Sequence, residues 1–335
     1  MDKSGSGLFK GYDCEEISFF SRAFRKFQLG FCYASCLKKG GTIFIPTAGQ
    51  LDMAWMDILM RLPVGPKKKH DVVFHFHQFK QTPAKLRRLR AWAQRNKRWR
   101  ILATTKRLLK PFYEAGFENC EVAYYPVSKI PEDTIYPVAA SEPHLLYAGA
   151  AREDKGFGKV VKYLLYLDTL NLKWPASVQC APSGNKNDGE LDSVCRDNLI
   201  RLKAQLPSFV NLKEKTLATN EFRNQFQGAI CLLLYDRVAY RDKFSAVALQ
   251  AMQCGAPIIT VRDTWMGDLV SFHGSGELVD GNEIGELHSA VKKVRSNYTD
   301  YRKRAIAAGE KLADIHHPES TLKLLSSGIS DRKFI

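Results

Sequence analysis

No run of this sequence approaches the ~20 consecutive apolar residues that a membrane span needs. Its polar start, Met1 to Gly7, also has no apolar signal-peptide core. Any membrane contact is therefore expected to be peripheral. The eight cysteines (14, 32, 36, 120, 180, 195, 231 and 254) form no C-x-x-C, and Cys32 and Cys36 have no second pair or histidine cluster nearby to complete a zinc site. Reduced, mostly buried thiols in a cytoplasmic protein are expected. No Asp-x-Asp pair occurs, which removes the usual holder of a nucleotide-bound divalent ion. Internal repeats and low-complexity tracts are missing too. Acid is scarce in one place: between Arg61 and Lys110 stand 16 Lys/Arg and one acid, Asp71.

That scarcity accounts for the net charge of +15, because the rest of the chain is balanced. A clustered basic field implies an anionic partner such as phosphate, a lipid headgroup or nucleic acid. At 335 residues, 25% charged and 45% hydrophobic, the chain is globular and long enough for about two domains. Disorder and collagen are excluded by composition.

Short apolar runs rich in β-branched residues alternate with helical patterns, the signature of parallel sheets covered by helices. The expected strands are 42–45, 72–76, 101–104, 122–125, 145–148, 176–180, 230–234 and 257–261. The expected fold class is α/β, with two Rossmann-like doubly wound domains. The boundary is expected where prolines 126, 131, 137 and 143 interrupt periodicity, giving domains 1–135 and 141–335. Thr82 followed by Pro83 starts a basic helix whose Leu86, Leu89 and Ala93 share one face. Its arginines surround Trp92 and lie near Trp99. That is either a solvated face with inward tryptophans or an anionic-membrane surface.

Two segments carry chemistry. The first runs from strand 145–148 through Gly149, Ala150, Arg152, Lys155 and Gly156 into a helix. Loops at the carboxyl edge of a parallel sheet are where open α/β folds bind ligands, and Arg152 and Lys155 could neutralise a diphosphate there. The second follows strand 230–234 and contains Asp242, Phe244, Ser245 and Gln250, then Gly255 and Pro257, which end the helix. A helix opening at Ser245 offers unpaired backbone N–H groups and the positive end of a dipole.

This order, Gly-x5-Lys-Gly and then acidic-x-Phe-small-x3-Leu-x-Ala-Met-x-x-Gly-x-Pro, resembles the nucleotide-sugar half of GT-B glycosyltransferases, most closely the retaining family 4. The likeness spans roughly residues 145–270. The resemblance implies a metal-independent glycosyltransferase of hexosyltransferase type. Its donor would be a nucleoside-diphosphate sugar, UDP- or GDP-linked, with no cofactor. The acceptor would be a glycan or lipid-linked hydroxyl at the cytoplasmic membrane face. By the same resemblance Gly149, Arg152, Lys155, Phe244, Ser245 and Gln250 would bind the donor, with Lys155 on its diphosphate. Asp242 would touch the donor sugar and Gln250 the ribose. His77, at the end of strand 72–76, would be a catalytic, sugar-contacting residue, while its neighbour His75 shares its strand face. The family's pair of glutamates appears here as Asp242 and Gln250, and Ala150 stands where an arginine is usual. The family's first strand finds no counterpart before Leu8. Two other readings stay open: a nucleic-acid-binding protein using residues 61–110, although no RNA or DNA module is recognisable, and a catalytically inactive GT-B scaffold.

Overall fold

The computed structural model describes residues 25–39, 41–62, 70–127, 129–130, 142–181, 191 and 193–326, without the side chains of 25–27, 70 and 326. The missing-strand expectation and the proline-rich boundary at 131–141 fall outside the described residues. The chain forms two compact units. One comprises Met1–Pro126 together with Pro318–Ile335, and the other Val127–His317. The sequence reading ran the second domain on to residue 335, whereas helix Pro318–Ser326 joins the first unit. Arg100 donates to the Leu324 carbonyl there, and the Thr321 hydroxyl donates to Tyr124 O at 3.2 Å.

The first unit is built on a parallel sheet of β1 (Gly41–Ile45), β2 (His70–Phe76), β3 (Arg100–Ala103) and β4 (Asn119–Val122), in that spatial order. Period-two alternation divides β2 between two faces. Val72, Phe74 and Phe76 join the main core with Trp99 and Phe112, while Val73 packs on the opposite face. Thr82 Oγ1 accepts from Lys85 N at 3.3 Å and caps helix Pro83–Arg95. Leu89 and Ala93 point inward as expected.

Both tryptophans of the basic segment are core residues, Trp92 at 6% and Trp99 at 1% exposure. Trp99 also donates its indole N–H to Met60 Sδ at 3.3 Å. The idea of tryptophans at a membrane surface is therefore wrong: their rings fill the space between helix and sheet. The positive field is also thinner than the sequence suggests, because the fold brings in acids from either side of the stretch. Asp57 receives Arg61 and Arg95, Lys97 pairs with Glu118 at 2.5 Å, and Lys110 lies 3.7 Å from Glu114. Arg87, Arg88 and Arg90 stay exposed.

The second unit holds six parallel strands: β5 (His144–Tyr147), β6 (Ala176–Gln179), β7 (Val210–Lys213), β8 (Ala229–Leu233), β9 (Ile258–Val261) and β10 (Gly276–Val279). Their spatial order is β10-β9-β8-β5-β6-β7. This is the doubly wound arrangement. The direction of winding reverses between β5 and β8, the switch point at whose carboxyl ends open α/β folds have their ligand crevice. β7 and β10, four residues each at the two margins, were not anticipated, and β4 begins three residues earlier than expected. Among the described residues no helix is long and apolar enough to cross a membrane.

Candidate functional site

The carboxyl edge of the second sheet, at the switch point between β5 and β8, gathers most of the residues singled out by sequence. Gly149 follows β5 with φ +107°, a left-handed conformation that suits glycine. Its N–H donates to Gln179 Oε1 at 2.8 Å. Gln179 is a buried amide at the end of β6, and it fixes the loop from the neighbouring strand. Ala151 N bonds Ala181 O at 3.0 Å, which ties the same loop to the continuation of β6. After a short 3-10 turn, Glu153–Lys155, Gly156 adopts φ +74°. A Cβ at Gly156 would stand 2.2 Å from the carbonyl oxygen of Leu234, which follows β8. The two crevice loops therefore meet backbone to backbone, and only glycine permits the approach. Asp236 N completes the junction by donating to Asp154 O at 2.9 Å.

From the β8 side, Ser245 caps helix Ala246–Gln253, its hydroxyl accepting from Ala248 N at 3.4 Å. The first-turn amides have no carbonyl partner within the helix. At Gly149 the two halves of the site come together. A Cβ there would lie 3.7 Å from Lys155 Nζ and 3.8 Å from Val247 Cγ2, so the ammonium and the first helical turn flank the same glycine. Lys155 is half-buried, with Nζ 5.9 Å from the centre of the Tyr235 ring. Burial holds its pKa below the ordinary lysine value. The like charge of Arg152 adds to this, and Asp154 opposes it.

The remaining residues divide. Arg152 is committed to its neighbour Asp154, with Nε 2.8 Å from Oδ1. Asp242 lies ahead of the helix with its carboxylate 3.1 Å from Arg241. The Phe244 ring packs between Trp265 and His316, at centroid distances of 5.2 and 5.7 Å. Gln250 sits half-buried inside the helix. His77 belongs to the first unit, just past β2. Its ring bonds the Pro46 carbonyl, while Nε2 is buried and unpartnered by protein. Burial lowers its pKa. His75 is the core histidine of the pair, 3% exposed, with Nε2 3.0 Å from Ala123 O. Burial, with a smaller contribution from His77, takes its pKa down to about 4.

Sequence reasoning missed Gln179, Asp154 and Tyr235. Gln179 left a trace: an amide at the end of a short apolar run must bond something if that run is a buried strand. Among the described residues no group of three or more His, Cys, Asp or Glu side chains could hold a metal ion.

No family model matches the sequence, and no curated protein matches it. Solved structures do match the fold. Anabaena HepE in complex with UDP aligns over 92% of this chain and 84% of its own, with TM-score 0.67 and 16% identity. Sucrose-phosphate synthase from Thermosynechococcus elongatus aligns over 93% and 80%, with TM-score 0.66 and 14% identity. An E. coli trehalose-6-phosphate structure bound with UDP-2-fluoro glucose aligns over 96% and 82%, with TM-score 0.66 and 12% identity. With two parallel Rossmann-like sheets and these neighbours, the chain has the GT-B fold of glycosyltransferases.

Proposed function

We propose that this protein transfers a sugar from a nucleoside-diphosphate sugar to a hydroxyl of a glycan or lipid-linked acceptor, with retention of configuration. One observation carries the reading: Lys155 and the amide end of helix Ala246–Gln253 flank Gly149, where the two crevice loops meet. The barrier to transfer lies in separating a cationic sugar from a departing diphosphate, so preorganised positive charge on the leaving group is the most useful contribution a site can make. An ammonium without a carboxylate partner among the described residues, together with a row of backbone N–H groups, supplies such charge without reorganising. Similar structures hold UDP, UDP-glucose and UDP-2-fluoro glucose, which favours a uridine donor. A similar structure of trehalose-6-phosphate synthase addresses glycosyl transfer with retention. Asp242 would bond the donor sugar, Gln250 the ribose, and Arg152 would reinforce Lys155 after exchanging Asp154 for phosphate. His77, with an unpartnered Nε2, would contact the reacting sugar. The exposed Arg87, Arg88 and Arg90 would hold the protein to an anionic cytoplasmic membrane surface.

Thermal shift against UDP, GDP and ADP tests the donor site, since a ligand that binds only the native state must stabilise it, by about 2.7 kcal/mol at a hundred times Kd. Lys155→Ala should weaken the effective nucleotide about 10- to 100-fold, the worth of a charge-assisted contact. If no nucleotide stabilises the protein, or the alanine variant responds as the wild type does, the reading fails. Stabilisation with no sugar release from any matching donor leaves the inactive scaffold. That outcome has its own support, because Arg152 and Asp242 both spend their charge on sequence neighbours.

A further inference from the structure

Lys155 needs something other than an ion pair to fix its ammonium. Asp154, the carboxylate that acts on it, is already paired with Arg152. A four-carbon stem can put its charge in many positions, and holding it in one costs rotamer entropy. The group beneath this one is aromatic. Tyr235, two residues past β8, is 1% exposed, and Lys155 Nζ lies 5.9 Å from its ring centre, within reach of a cation–π contact. Burial weakens the hold of Lys155 on its proton, and the negative face of a ring works against that by favouring the charged form.

The Tyr235 ring is itself held from both ends. Tyr240 meets it at a centroid distance of 4.5 Å and an interplanar angle of 62°. Tyr240 is buried in the short helix Arg237–Tyr240, which Asp236 caps by accepting from Ala239 N at 2.7 Å. The same Asp236 donates its own N–H to Asp154 O, which joins that helix to the Lys155 loop. At the far end, the Tyr235 hydroxyl lies beside the Ser245 side chain, although no hydrogen bond of ordinary geometry closes between them. Ser245 caps helix Ala246–Gln253. One buried side chain therefore spans from the ammonium to the capped helix end, the two groups that flank Gly149.

We propose that Tyr235 is a positioning residue of this site: its ring face holds the Lys155 ammonium beside Gly149, and its length sets the spacing between that ammonium and the Ser245 end of the helix. Being buried, Tyr235 touches no ligand and acts through Lys155. A leaving diphosphate is stabilised by charge that stands ready before it arrives, and the ring supplies that readiness without an acid that would compete for the ammonium. The use of this device in sugar transfer rests on the donor-site reading, whereas the contact with Lys155 does not.

Graded fluorination on the full chain tests it. Phenylalanine and its 4-fluoro, 3,5-difluoro and 3,4,5-trifluoro derivatives, placed at position 235, keep nearly the same shape while fluorine drains the negative ring face stepwise. Tyr235→Phe is the reference of the series. The pH midpoint of Lys155 is followed by NMR of carbon-13-labelled lysine side chains, its signal assigned by its loss in Lys155→Ala, and UDP affinity by titration calorimetry. From the reference to the trifluoro ring, Lys155 should hold its proton about three- to tenfold less tightly and UDP should bind about three- to tenfold more weakly, the worth of a partly buried cation–π contact. In a Lys155→Ala background UDP affinity should be flat along the series. A Lys155 midpoint that does not move overturns the proposal, and so does an equal loss of UDP affinity with and without Lys155, which would make Tyr235 a packing residue. Should UDP fail to bind the wild type, the donor-site reading falls, and the Lys155 midpoint still decides the contact.

Discussion

Replacing Gly156 by alanine should force apart the two loops that meet there. At φ +74° an L-residue is in the left-handed region, at a cost of about 1–2 kcal/mol. The new methyl would also stand 2.2 Å from the Leu234 carbonyl oxygen, well inside van der Waals contact, and both sides of that contact are backbone. Neither can rotate away, so the loops must separate. Forced displacements of this kind cost about 1–3 kcal/mol more. The expected destabilisation is thus about 2–5 kcal/mol. Gly285→Ala is the comparison. That glycine has an ordinary φ and nothing within 4 Å of a Cβ, so alanine there should be neutral or stabilising by up to about 1 kcal/mol. Urea unfolding followed by tryptophan fluorescence and near-UV circular dichroism measures both, with Trp174 and Trp265 reporting from the second unit. Nucleotide affinity should fall with stability in Gly156→Ala, because the Asp236-to-Asp154 bond and the Lys155 position depend on the same approach. If the two variants unfold within about 0.5 kcal/mol of each other, the backbone contact is not what closes the loops.

Acid should weaken the first unit before most carboxylates titrate. His75 stays neutral when folded down to a pKa of about 4 but takes up a proton near 6.5 when unfolded, so its contribution is intact above pH 6.5 and drains as pH falls towards 4, by about 3 kcal/mol in all. His75→Gln should flatten that part of the stability profile, and an unchanged slope in denaturant midpoints between pH 7 and 5 would argue against the assignment. Ser245→Ala removes a helix cap and should cost about 1 kcal/mol, with Ser245→Asp retaining it, both read from urea midpoints. Sedimentation with phosphatidylserine vesicles should weaken as salt rises and disappear when Arg87, Arg88 and Arg90 are all changed to glutamate; salt-insensitive or absent sedimentation excludes the membrane surface.

The central strands were legible because each is a short apolar run with buried neighbours on both sides, and β5, β6, β8 and β9 came within a residue of their observed limits. β7 and β10 were not, because marginal strands such as Val210–Lys213 alternate with polar residues over only four positions and look like loop. In the site, the positions that needed a special backbone were readable: Gly149, Gly156 and the Gly255 stop all have positive φ. The side-chain roles were less so. That Phe244 would pack between Trp265 and His316 depends on tertiary neighbours that spacing cannot supply, whereas Asp154, which takes up Arg152, stands only two residues along the chain and was overlooked. The charge of residues 61–110 misled because its acids lie just outside the stretch: Asp57 and Glu114 stand four residues along the chain from Arg61 and Lys110, while the fold brings Asp57 to Arg95 and Glu118 to Lys97.

Helix Pro318–Ser326 imposes an order on biosynthesis. The second unit is one continuous segment, whereas the first is split, and Arg100 and Tyr124 wait for Leu324 and Thr321 to arrive from the far side of it. A ribosome therefore releases everything the six-stranded unit needs while the four-stranded one is still short of its closing piece. Expressing residues up to Pro126 by themselves would leave the Arg100 guanidinium facing a gap where a carbonyl belongs, so the half that emerges first is the half that matures last.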